Sequence, residues 1–232
     1  MNKSVLITGN RKGIGRYLSE VFLSKGWTVY GCSREQSDLK HKNYIHYITD
    51  VSNEKDVVKM FSSIRKNKHG LYAILNNAGI ASMNHILMTP GKTIKKVTDV
   101  NFIGTALCCR EASKIMLKKK IGRIINFSTI ACPINLAGEA IYAASKTAVE
   151  SYSKTLSKEV APFNITVNII GPNPIKTELI SGVSDQKLDK LIHSQTIKRY
   201  GKYDDILNIV EFFIKEESSM ITGQTIYLAG IS

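Results

Sequence analysis

The chain has 232 residues, 43% of them hydrophobic, enough to bury one sizeable core and better matched to one large α/β domain (1–232) than to two independent ones. It contains no apolar run of membrane-spanning length, and Met1 to Lys3 lead straight into a short apolar strand without a signal-peptide pattern, so a soluble cytoplasmic protein with no membrane contact is expected. The net charge of +13 is spread along the chain and accompanies no nucleic-acid-binding module, which excludes nucleic acid as the expected partner.

In chain order, short β-rich apolar runs alternate with helical periodicity, the pattern of successive βαβ units and a parallel sheet. The first predicted strand, Ser4 to Thr8, runs into Thr8, Gly9, Asn10, Arg11, Lys12, Gly13, Ile14 and Gly15, and a helix is predicted over Ile14 to Lys25. Glycines between a first strand and a first helix allow a tight turn and close backbone approach, and the helix N-terminus offers free amides to a pyrophosphate. The spacing is GxxxGxG rather than GxGxxG. A second strand, Thr28 to Cys32, is followed by Ser33 and Arg34 where an NAD site usually offers an acidic residue to the ribose. Arg34, with Arg11 or Lys12, can form a charge-assisted clamp on a 2′-phosphate, which favours NADP(H) over NAD(H).

Strands are next predicted at Tyr44 to Ile48 and Tyr72 to Leu75, with a helix over Glu54 to Lys66 between them, and a long helix spans Asn101 to Lys118. The dense basic run Lys118 to Lys120 falls at that helix's end, where the dipole favours cations. A strand over Gly122 to Ser128 precedes the helix Ala140 to Val160, which carries Tyr142 and Lys146 one turn apart on the same face. An ammonium there stabilises phenolate and draws down a phenol pKa that is otherwise about 10, making the tyrosine a usable acid and base. A strand at Ile165 to Ile169 leads to a polar stretch, Asn173 to Lys202, whose weak periodicity predicts a mobile flap over a site. The helix Asp204 to Lys215 and a strand at Thr225 to Leu228 complete the alternation. Cys32, Cys108, Cys109 and Cys132 show no CxxC spacing and no histidine cluster, so neither a metal site nor a disulfide framework is expected.

The glycine loop, Asn76 to Gly79 after the fourth strand, Asn101 on a long helix, and Tyr142 with Lys146 together resemble the short-chain dehydrogenase/reductase family over nearly the whole chain. Asp50 with Val51, the turn Gly171 to Thr177, Arg199 to Ile206, and Ile221 to Gln224 extend the resemblance. It implies a Rossmann fold: a doubly wound, mostly parallel seven-stranded sheet with helices on both faces. It also implies a catalytic set of Asn101, Thr129, Tyr142 and Lys146, with Tyr142 donating a proton to a carbonyl oxygen, Lys146 lowering its pKa while bonding the nicotinamide ribose, and Asn101 holding a relay water. The implied cofactor set is Thr8, Gly9, Arg11, Lys12, Gly13, Ile14, Gly15, Ser33, Arg34, Asp50, Val51, Asn77, Ala78, Gly79, Tyr142, Lys146, Ile175 and Thr177. Thr129 stands where the family usually has serine. It keeps the hydroxyl but adds a methyl that narrows the pocket, whereas Ser128 is expected to point to the opposite face.

The segment Ile130 to Ala140, with Ile130, Ala131, Cys132 and Asn135 as substrate contacts and Glu139 within it, is expected to form the substrate wall together with the flap. The activity implied is NADPH-dependent reduction of a small-molecule carbonyl; a nucleotide-sensing scaffold that kept the fold and lost turnover is the alternative. Among substrates, the resemblance is nearest to 3-oxoacyl carrier-protein reductases, and Lys120 falls where those enzymes often have a basic residue for the acidic carrier. A second such position is occupied by Phe163, which leaves sugar and secondary-metabolite ketones in play. The resemblance further implies a homodimer or homotetramer built on the helices carrying Asn101 and Tyr142.

Overall fold

A computed structural model of the protein describes residues 3–180 and 182–231, with the side chain of Leu179 outside that description. Seven strands, β1 (Ser4–Thr8), β2 (Thr28–Ser33), β3 (Tyr44–Ile48), β4 (Ala73–Asn76), β5 (Gly122–Phe127), β6 (Ile165–Gly171) and β7 (Thr225–Tyr227), form one sheet in the order β3-β2-β1-β4-β5-β6-β7. Every pairing is parallel. β1 and β6 are buried at every position, so both are largely apolar, and the polar residues they do bury are hydrogen-bonded, as Asn168 is to the Ile221 carbonyl at 2.8 Å.

Successive side chains still go to opposite faces. Leu6, Tyr30, Ile74, Ile124 and Val167 join α2 (Glu54–Lys66), α4 (Gly104–Lys119) and α6 (Ala140–Val160) in one core. Val5, Ile7, Val29, Leu75, Ile125 and Ile170 pack against α1 (Gly13–Ser24) and α8 (Tyr203–Ile214) in the other. Phe213 and Phe22 are essentially fully enclosed there, and emptying either site to alanine is expected to cost about 3–5 kcal/mol. Asn53 caps α2 by accepting from the amides of Lys55 and Asp56, and the acidic residues Glu54 and Asp56 in the first turn suit the dipole. The order of the sheet reverses at β1 and β4, so a crevice opens beyond the carboxyl ends of these strands and of β5.

Three departures from the sequence reading have local causes. The helix expected to start at Asn101 is preceded by α3 (Gly91–Thr98) and a wide π-type turn over Asp99–Ile103, which place Asn101 inside a continuous helical path. Only Val97 of α3 is buried, so the apolar periodicity that reveals a helix is almost missing. The polar stretch 173–202 holds a short 3₁₀ turn, Glu178–Ile180, and a helix, α7 (Asp185–Ser194), anchored by buried Leu188 and Ile192 at i and i+4. Its base is tied down: Asn173 Nδ2 donates to Gln195 Oε1 and to the Arg199 carbonyl at 3.0 Å each, and Ile175 bridges Gly201. A four-residue helix, α5 (Ala131–Ile134), lies within the expected substrate wall.

Candidate active site

The glycine loop is held by close packing rather than by side chains of its own. Gly9 adopts φ +67°, and a β-carbon there would lie 2.8 Å from Ala78 Cα; one on Gly15 would lie 2.6 Å from the Gly9 carbonyl oxygen. Asn77 Nδ2 donates to the carbonyls of Thr8 (3.0 Å) and Gly9 (3.2 Å), and the Ala78 amide donates to Thr8 Oγ1 at 3.0 Å. These bonds join the ends of β1 and β4 across the crevice. The first amides of α1 have no side-chain cap and no acidic residue in the first turn, so they remain available to an anion. Thr177 packs over Gly13, with its methyl 3.6 Å from where a β-carbon would stand. This cradle fits a dinucleotide pyrophosphate.

Beyond the glycine loop, two of the cations expected to hold a 2′-phosphate already have carboxylate partners. Arg11 Nη1 is 2.6 Å from Glu35 Oε2, and Lys12 Nζ is 2.7 Å from Glu178 Oε2. Arg34 is exposed. Ser33 Oγ donates to the Glu35 carbonyl at 2.7 Å and lies 3.2 Å from His46 Nε2, while Asp50 Oδ1 accepts from the amide and hydroxyl of Ser52. Val51 is buried against Gly104, where a β-carbon would clash with its methyl at 2.8 Å.

At the other end of the crevice, a cleft of about 610 Å³ brings together Ile14, Asn77, Gly79, Thr129, Tyr142, Lys146, Ile175 and Thr177. Tyr142 and Lys146 are both buried, one turn apart on α6. Lys146 Nζ donates to the Phe127 carbonyl at 2.8 Å, and burial lowers its pKa from 10.5 to about 8. Tyr142 is raised above 10, first by burial and then by the charge of Glu139, while a hydrogen bond from Thr129 pulls it down. Both groups are desolvated, the lysine is turned to a backbone carbonyl, and Thr129 supplies the lowering influence.

Asn101 uses its whole side chain for positioning. Oδ1 accepts from the Ile80 amide at 2.8 Å, and Nδ2 donates to the Ile80 carbonyl at 2.9 Å and to Ser145 Oγ at 3.0 Å. Ser145 in turn donates to the Tyr142 carbonyl at 2.7 Å, so Asn101 links the strand β4 loop to the tyrosine helix. Gly79 is needed between them, since a β-carbon would stand 3.3 Å from both Asn101 Oδ1 and Lys146 Nζ.

Ser128 turns its hydroxyl away from Tyr142 and donates to the buried carboxylate of Glu150, which also accepts from Tyr227 Oη at 2.7 Å. Of the expected substrate contacts, Ile130 and Ala131 line the cleft. Cys132 and Asn135 are not among its described lining residues. The Cys132 thiol lies 3.4 Å from Ser128 Oγ, and burial raises its pKa; Asn135 is exposed in a left-handed turn with its amide on the Pro133 carbonyl. Both residues belong to the α5 turn or its C-cap. Ile134 and Leu136 of the expected wall and Leu188 and Leu191 of the expected flap also line the cleft, joined by Met83, which lies outside both segments. Leu188 and Leu191 belong to the segment expected to cover the site, and the spacing of the apolar residues there was the available signal.

The family profile described as Enoyl-(Acyl carrier protein) reductase matches residues 8–230. The 3-oxoacyl-[acyl-carrier-protein] reductase FabG of Buchnera aphidicola is 30% identical over 98% of this chain and 96% of its own length, and that of Staphylococcus epidermidis is 30% identical over 99% and 98%. Among solved structures, ElxO with NADP bound superposes with a TM-score of 0.89 at 29% identity, covering 98% of this chain and 97% of its own. A 4-hydroxyisoleucine dehydrogenase complexed with NADH superposes with a TM-score of 0.90 at 28% identity, covering 100% and 99%. No described helix is long and apolar enough to cross a membrane. With the parallel sheet, the glycine cradle and the tyrosine and lysine of α6 converging on one crevice, the chain belongs to the short-chain dehydrogenase/reductase family of oxidoreductases.

Proposed function

We propose that the protein is an NADPH-dependent carbonyl reductase that converts a ketone to a secondary alcohol, with Tyr142 as proton donor. The observation carrying this reading is the convergence of the Thr129 hydroxyl, the Tyr142 phenol and the Lys146 amine on the cleft that continues into the glycine cradle. NADPH, when bound, supplies the hydride. Thr129 and Tyr142 line the same cleft and their hydroxyls are in hydrogen-bond contact, which supports Thr129 orienting the carbonyl while the Tyr142 proton passes to its oxygen. Lys146, buried and one turn along the same helix, opposes the charge that develops on the phenol as its proton leaves. Asn101 holds this geometry by tying the Ile80 backbone to Ser145.

The preference for NADPH rests on the cations Arg11, Lys12 and Arg34 and on the absence of an acidic residue at Ser33, at the end of β2. Relatives named 3-oxoacyl-[acyl-carrier-protein] reductases and the exposed Lys120 support a carrier-linked substrate, while Phe163 argues against one because it removes a cation that would meet an acidic carrier. The test is oxidation of NADPH and of NADH by the purified protein with a panel of simple ketones, hydroxylated ketones and 3-oxoacyl thioesters. Turnover that favours NADPH supports the proposal. Cofactor binding without turnover on any compound supports a nucleotide-sensing role instead.

A further inference from the structure

The substrate wall contains a carboxyl group that the fold itself does not use. Glu139 immediately precedes α6, and although that is where an acidic side chain commonly caps a helix, its carboxyl makes no capping bond. Its backbone is satisfied independently, the amide donating to the Leu136 carbonyl at 3.2 Å and the carbonyl accepting from the Ala143 amide at 2.7 Å. The residue is only 9% exposed and lines the cleft. Among the described residues, no side-chain hydrogen bond or salt bridge reaches its carboxyl oxygens; Lys187, an exposed residue of α7, acts on it only through space. The same cleft carries the donors Thr129, Ser184, Lys187, Lys190 and Ser194 beside the apolar Ile130, Ile134 and Leu136, yet among the described residues none of these donors hydrogen-bonds or ion-pairs with the Glu139 carboxyl.

We propose that Glu139 selects the substrate by accepting a hydrogen bond from a hydroxyl or ammonium group carried beside the reacting carbonyl. This deepens the reductase reading and rests on it. Glu139 is three residues before Tyr142, hence on the same side of the helix start, and its charge acts directly on the phenol. A ketone held at Tyr142 therefore places its α-substituent within the field of the carboxyl. The carboxyl oxygens are not sealed in the core and are reached from the cleft, while burial of the residue pushes its pKa up, so a ligand that brings a donor there restores part of what desolvation removed. A ketone with only alkyl substituents leaves the carboxyl unpaired and is rejected, which is the arrangement that gives strong discrimination against an analogue lacking a polar group. The substrate class is thus a polar α-hydroxy or α-amino ketone in preference to a plain alkyl ketone.

The experiment compares kcat/KM for hydroxyacetone, aminoacetone and butan-2-one with NADPH in the native protein, Glu139→Gln and Glu139→Ala, alongside NADPH binding to each. The native protein is expected to favour at least one polar ketone over butan-2-one by tenfold or more, with the preference carried mainly in KM, and Glu139→Ala is expected to reduce that ratio at least tenfold. Retention of the hydroxyacetone preference in Glu139→Gln identifies a hydroxyl ligand, and loss of an aminoacetone preference identifies an ammonium. If Glu139→Ala fails to bind NADPH, Glu139→Leu, which fills the same place without an acceptor, takes its part in the comparison, and a polar-ketone preference that survives that change overturns the inference. Equal use of all three ketones, or a preference that survives Glu139→Ala, overturns it while leaving the reductase reading intact. NADPH binding with no ketone reduced defeats the reductase reading, and this inference with it.

Discussion

Replacing Lys146 with methionine should stabilise the protein near neutral pH and destabilise it in alkali. Lys146 is 4% exposed, and burial lowers its pKa from 10.5 to about 8, a difference of 10.5 − 8 = 2.5. At about 1.4 kcal/mol for each pKa step, holding the ammonium in the folded state at pH 7 costs about 3 kcal/mol relative to the unfolded chain. Between pH 8 and 10.5 the folded state has released this proton while the unfolded state keeps it, so stability rises with pH through that window. Lys146→Met removes the cost, but it also removes the 2.8 Å bond to the Phe127 carbonyl, worth about 1–2 kcal/mol. The net expectation is a gain of about 1–2 kcal/mol at pH 7 and a loss of about 1 kcal/mol near pH 10.5, accompanied by loss of activity. Urea unfolding of both proteins at several pH values, without cofactor, measures the difference directly. A variant that is less stable than the native protein by the same amount at pH 7 and pH 10 refutes the reasoning, because it would mean that no titration of Lys146 is coupled to folding.

Thr129→Val, which keeps the shape and removes the hydroxyl, should lower turnover by at least about tenfold in steady-state assays. Ser128→Ala should leave turnover nearly unchanged while costing about 1–3 kcal/mol in denaturant unfolding, since the buried Glu150 carboxylate loses a donor and keeps only Tyr227; the reverse pattern would assign the catalytic hydroxyl to the wrong residue. Glu35→Gln should tighten NADPH binding by up to about fivefold in fluorescence titration and leave NADH nearly unchanged, because the Arg11 guanidinium no longer has to leave a carboxylate and an exposed pair of this kind is worth at most about 1 kcal/mol. An equal change for both cofactors would dissociate Arg11 from the 2′-phosphate. Gly15→Ala should lower stability by about 1–3 kcal/mol and weaken NADPH binding, as its methyl would press on the Gly9 carbonyl from 2.6 Å.

The elements legible in the sequence are those whose local pattern and tertiary role coincide. The Asn53 cap, the first-turn acids and the apolar row of Val57, Met60, Phe61 and Ile64 all mark α2, and its predicted ends match those observed. The strands were recognisable because burial on both faces makes them short, largely apolar runs between helical segments. Their ends shifted by one or two residues where pairing with a neighbour continues past the apolar run, as in Ile170 and Gly171 of β6. α3 and α7 were hidden because a helix that buries only one or two side chains carries little periodic signal.

The candidate site divides in the same way. Backbone-governed features, the glycine turn before α1 and the one-turn spacing of Tyr142 and Lys146, follow from neighbours in the chain and were readable without a fold. The partners of the charged and polar side chains were not. Arg11 meets Glu35, Lys12 meets Glu178 from 166 residues away, and Ser128 and Tyr227 both reach Glu150 only because the end of β5, α6 and β7 are brought together. The direction of the Tyr142 shift was likewise decided by the fold, since desolvation depends on how completely the neighbouring segments close over the phenol. Local spacing thus determined which groups could do the chemistry, whereas their protonation, their ion-pair partners and the unpaired Glu139 carboxyl were settled by tertiary packing, because burial and through-space charge depend on segments that are distant in the chain.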